Sequence, residues 1–151
     1  MNTTTRSRLL FTRPLYLSIA LATTVEFINF ILFGLIFSGE GSSLKAFVWT
    51  VGIGGIGMGS VLGVLIDIVI VGTARGRDAF WATVILAVLT LGLVAKLFTW
   101  HMGGTVEALG FAQWPVLYLI VGGVLALLAG LTLGWLLFTP AGNRLLARYG
   151  L

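Results

Sequence analysis

A chain of 151 residues that is 58% hydrophobic and only 9% charged has too few polar side chains to coat a soluble domain of its size, and its mean hydropathy of +1.08 assigns it to a lipid bilayer. It has no cysteine, which excludes disulfides, thiolate metal sites and thiol catalysis, and its one histidine, His101, excludes a haem held by two histidines of a single chain. The formal charge of +4 comes from arginines set beside apolar runs, an arrangement that points to anionic lipid headgroups and away from nucleic acid.

Four apolar segments, residues 15–37, 46–72, 79–100 and 115–138, are long enough to cross roughly 30 Å of hydrocarbon as helices, which takes about 20 residues each. They predict an all-α polytopic membrane protein, a compact four-transmembrane-helix bundle forming one membrane domain over residues 1–151. Residues 1–13 form a basic N-terminus and residues 139–151 a basic tail. The first segment resembles a signal peptide only in having arginines before an apolar run; it is too long and lacks a small-residue cleavage site, so it is expected to be a retained helix.

Glu26 falls near the middle of the first helix, where an isolated carboxylate would cost several kcal/mol. It is expected to be protonated, partnered or turned to a wet cavity, with Asn29 or Thr23 as hydrogen-bond partners. Ser18, Thr23 and Asn29 share its side of the helix and make a narrow polar stripe.

The second helix opens with "GIGGIGMGSVLGVLID", residues 52–67. Gly55, Gly59 and Gly63 recur every four positions and line one face, with Gly52 close by, so a neighbouring helix backbone can approach closely. Alignment by helix ends puts Glu26 level with Gly55 to Gly59, making this groove a place for the polar stripe to dock. Gly54 and Gly57 lie off the groove and admit an unwound or hinged segment as the alternative. The alternating glycines resemble those of the proteolipid rotor subunits of ATP synthases, but their spacing is irregular and the mid-membrane acid precedes them, so that family's roles do not transfer to these positions. Asp67 is expected roughly 9 Å from Glu26 along the membrane normal, a gap that one or two waters would bridge. The competing expectation is that Arg13 reaches down to neutralise it.

In the third helix Lys96 sits one turn from the end, and is expected to extend its amine to the interface along its apolar stem; pairing with Glu26 is the alternative. The fourth helix begins at Pro115, ends before Pro140, and repeats the small-residue device at Gly122, Ala126, Gly130 and Gly134. Because the second and fourth helices run the same way, their grooves are expected to face each other or a second copy. "TVEALGFAQ" is read as a loop or a short surface helix, and "NRLLARYGL" as a basic amphipathic turn on the inner leaflet.

Arg6, Arg8, Arg13, Arg75, Arg77, Arg144 and Arg148 fall on one side of this topology and only Lys45 and His101 on the other, which puts both termini in the cytoplasm, most simply of a prokaryotic inner membrane. Trp49, Trp100 and Trp114 then fall at outer helix ends, and Trp81 and Trp135 near inner ones. No catalytic constellation, metal-ligand set or cofactor motif is visible. Three functions are expected in order: an assembly or accessory subunit docking through a glycine groove, a proton- or cation-conducting oligomer with Asp67 and Glu26 as relay, and a membrane enzyme acting on lipid or quinone. The partners expected are anionic headgroups, further copies of the chain or other membrane subunits.

Overall fold

A computed structural model describes the backbone of residues 3–32, 44–98 and 115–150. The segments "SGEGSS", "HMGGTVEALG" and "TVEALGFAQ" lie outside the described residues, as do the side chains of Arg6, Arg8, Glu40, Lys45, Trp100, His101, Met102, Glu107 and Trp114. Within them every element is helical: α1, Thr3–Phe30; α2, residues 44–71; α3, Gly76–Phe98; α4, Pro115–Phe138; and the short α5, Pro140–Arg148.

Three stretches, Val48–Val71, Gly76–Phe98 and Val116–Phe138, are long and apolar enough to cross a membrane. The chain is built as a multi-pass integral membrane protein. Helix α1 is as long, but its polar stripe and Arg13 dilute its apolar run. It starts at Thr3 and not at Leu15, so the basic segment is itself helical, and Pro14 sits inside the helix without ending it. The bounds of α4 coincide with those expected, since Pro115 opens it and the bend at Thr139 closes it.

Residues 48–57, 66–71 and 88–94 are wound as π-helix; the N–H of Met58, for example, reaches the carbonyl of Ile53 five residues back. The glycine-rich run is therefore a continuous, widely wound helix and not an unwound hinge. The unwound segment admitted as the alternative at Gly54 and Gly57 is not what these residues form.

Packing follows the small residues. In lipid there is no hydrophobic drive between helices, so association depends on close van der Waals contact. A methyl group added at Gly55 would stand 2.9 Å from Thr23 Cα, at Gly59 2.9 Å from Ile19 Cα, and at Gly63 2.6 Å from Leu15 Cα. Thus the groove of α2 holds the backbone of α1. A methyl on Gly130 would come within 3.0 Å of Val84 Cα, one on Gly134 within 2.9 Å of the Phe80 ring, and one on Gly92 within 3.2 Å of Ala126 Cβ, so the groove of α4 holds α3. The two grooves do not face each other, contrary to expectation, because each is filled by its antiparallel neighbour. Gly52 meets only the Val48 side chain of its own helix and has no part in the interface.

Four residues forward on α1 match four residues back on α2 across these contacts. In this register Glu26 stands level with Gly52, about a turn beyond the position given by aligning helix ends. The core is built from small and branched side chains, among them Ala22, Leu62, Ile66, Ala87, Leu91, Ala126 and Leu133. Bulky ones point outward: Tyr16 and Phe27 on α1, Ile56 and Ile68 on α2, Ile85 on α3, Val116 and Leu128 on α4. An outer surface of bulky apolar side chains suits a lipid surround.

Helix α5 folds back on the end of α4. Thr139 caps it by accepting from Gly142 N–H at 3.1 Å, Pro140 occupies its first turn, and Gly142 lies so close to the Trp135 carbonyl that no side chain fits there. Residues 143–148 of the stretch read as an amphipathic turn therefore belong to a short, anchored helix.

Candidate functional site

Glu26 and Lys96, brought from α1 and α3 into the bundle interior, form a direct ion pair in which both side chains are 0% exposed. The ammonium group of Lys96 donates to both carboxylate oxygens. Asn29, one turn after Glu26 on the same helix face, donates from Nδ2 to Glu26 Oε2 at 3.5 Å. The Tyr118 ring of α4 lies 5.1 Å from Lys96 Nζ, in range of a cation–π contact. Phe30, Val51 and the same Tyr118 form an apolar cluster at this end of the bundle, with Phe30 edge-on to Phe47 and Trp49 beside Phe98.

The expected outward extension of Lys96 is thus corrected. Its stem runs inward because α4 has no side chain in the way: a methyl on Gly122 would stand 2.6 Å from Lys96 Cε and 3.0 Å from Cδ. With room for the stem and a carboxylate at its tip, the amine exchanges water for two charge-assisted hydrogen bonds and a ring face. Gly122→Ala is expected to push the stem off α4 and lengthen the Lys96–Glu26 contact. Thermal stability in detergent should fall by about 1–3 kcal/mol, the usual cost of overpacking, while the helix content by circular dichroism stays unchanged.

Hydroxyls elsewhere in the bundle satisfy themselves locally. Thr24, Ser60, Thr83, Thr90 and Thr132 each donate to the carbonyl four residues back, at 2.8–2.9 Å. Ser18 Oγ, Thr23 Oγ1, Asn29 Oδ1 and Thr50 Oγ1 do not: they are buried and have no hydrogen-bond partner among the described residues. Three of them belong to the expected α1 stripe, and Thr50 stands within a turn of Asn29's level on α2. An unsatisfied buried polar atom costs roughly 1–3 kcal/mol, so each of these positions is one where a water molecule would be welcome.

The structure brings together Glu26, Asn29 and Lys96 from the residues singled out in the sequence, and ranges Thr23 and Ser18 along the same helix toward the other end. Asp67 is not brought in. In the α1–α2 register it stands about 20 Å from Glu26 along the axis, so the short water-bridged step from Asp67 to Glu26 does not exist in this conformation. It is half-buried, within a turn of the level of Arg13, whose side chain lines a cleft with Pro14, Val71, Leu137, Phe138 and Asn143. Tyr118, Thr50 and Gly92 went unnoticed in the sequence. A signal existed for two of them: Tyr118 lies four residues before Gly122 and Lys96 four after Gly92, so each is on the small-residue face that packs inward.

Compared with known proteins, the chain matches no family model, no curated protein and no solved structure. Its functional reading rests on this geometry.

Proposed function

We propose that the protein is a four-span membrane protein, with α1 as the fourth span and its basic end in the cytoplasm, and that the Glu26–Lys96 pair is where it passes a proton or small cation. The observation that supports this most is the company the pair keeps: fully buried opposite charges in a bundle whose α1 carries, at Ser18, Thr23 and Asn29, buried polar atoms with no partner among the described residues. Parting the two side chains would leave each charge uncompensated inside the bundle. The pair therefore acts as a closed gate. Passage requires Lys96 to part from Glu26 while water or the ion takes its place along Asn29, Thr23 and Ser18. Asp67 would serve as a separate cytoplasmic-side acid and not as the next step in a chain.

For the assembly role expected from the glycine grooves, α1 and α3 fill those grooves within the chain. A partner subunit would have to lie on the outward apolar faces. An enzyme acting on lipid or quinone has no support beyond the membrane setting.

Reconstitution in liposomes loaded with a pH-sensitive dye tests the reading. Wild-type protein is expected to dissipate an imposed proton or sodium gradient, and Glu26→Gln combined with Lys96→Met to abolish the flux while retaining the fold. Equal flux from that double variant, or no flux from the wild type with protons, sodium or potassium, would remove ion passage as the function.

A further inference from the structure

We infer that the corner between α4 and α5 is a binding cleft for the phosphate of an anionic phospholipid. This inference is independent of the ion-passage reading and involves none of its residues. The cleft is lined by Trp135, Ala141, Arg144, Leu145 and Arg148. Arg144 and Arg148, four residues apart, stand on one side of α5, and both are exposed. The helix PAGNRLLAR contains no acid to neutralise them.

Two further observations fix what this cleft faces. First, it is rigidly placed: the Thr139 cap, the close approach of Gly142 to α4 and the burial of Leu146 hold α5 against the end of α4. Second, its height matches the headgroup layer. Trp135 on α4 and Trp81 on α3 are both exposed about one turn from the same end of the bundle, where indole rings prefer the boundary between hydrocarbon and water. Arg75 and Arg77, exposed at the α2–α3 turn, belong to this end too. Leu145 and Tyr149 are exposed beside the arginines and supply apolar contact for the glycerol and upper acyl region. A phosphodiester at this depth would accept from two guanidinium groups while its chains lie against Trp135.

The test is native mass spectrometry of the full chain in detergent, titrated with phosphatidylglycerol or phosphatidylcholine. Wild-type protein is expected to retain phosphatidylglycerol preferentially. Loss of each arginine should weaken retention about fivefold, and R144Q/R148Q about thirtyfold, on the basis of about 1 kcal/mol per basic residue at an anionic surface. R144K/R148K, which keeps the charge, should retain the lipid to within a few-fold and so separate charge loss from disruption of α5. Equal retention of the two lipids by the wild type, or undiminished retention by R144Q/R148Q, would overturn the assignment. Displacement of the lipid by millimolar inorganic phosphate would also overturn it, by identifying a site for a soluble anion.

Discussion

Glu26→Gln is expected to lower folding stability by about 3–5 kcal/mol, because it leaves the Lys96 ammonium buried with a neutral partner. Lys96→Met should cost a similar amount by stranding the carboxylate. The double variant Glu26→Gln/Lys96→Met should recover most of the loss, since no charge then remains inside the bundle. The sign of this coupling follows from the geometry: both side chains are wholly removed from solvent, so desolvation has been met in full and their mutual contact is the main offset, beside the Asn29 hydrogen bond and the Tyr118 ring. A surface pair would show almost no coupling. Reversible unfolding in mixed micelles, followed by circular dichroism, gives all four stabilities. Additive losses in the double variant would mean that the two charges do not support one another, and the gate reading would fall with them.

The second large effect is expected from the glycine face of α2. Gly63→Ala should destabilise by about 1–3 kcal/mol or more, because its methyl group would meet the Leu15 backbone, which cannot rotate aside as a side chain can. Gly52→Ala, on the same helix, should be neutral or slightly stabilising, since the added methyl meets nothing beyond its own helix and alanine is the better helix former. Measuring the two variants side by side under one denaturation protocol separates interface from composition. Equal losses would show that glycine content, and not the α1 contact, sets the stability of α2.

The residues that could be read from the sequence are those whose role is local. Proline at each boundary marked α4, and the four-residue spacing of Gly55, Gly59 and Gly63 marked a face that does receive a helix. Glu26 with Asn29 was legible for the same reason, as two polar residues a turn apart in an apolar run. What escaped depends on other helices. The fate of Lys96 is decided by Gly122, on a different helix; viewed along α3 alone, a lysine near a helix end is expected to reach for water. Register escaped as well, because it is set by which backbone the glycines admit and not by where apolar runs stop. Set by the glycine contacts, it leaves Asp67 about 20 Å from Glu26 along the axis, out of reach. The start of α1 was misplaced because hydropathy fades at Leu15 while helical hydrogen bonding continues back to Thr3.

The wide winding of residues 88–94 bears directly on Lys96, which follows two residues later. A π-helix turns less per residue than the 3.6-residue α-helix, so each residue of that stretch returned to tighter winding would rotate everything after it by roughly 20° about the helix axis. Tightening the whole stretch would turn the amine away from α1 without any long helix having to tilt or slide. In mechanical terms α3 carries its own swivel, mounted just before Lys96.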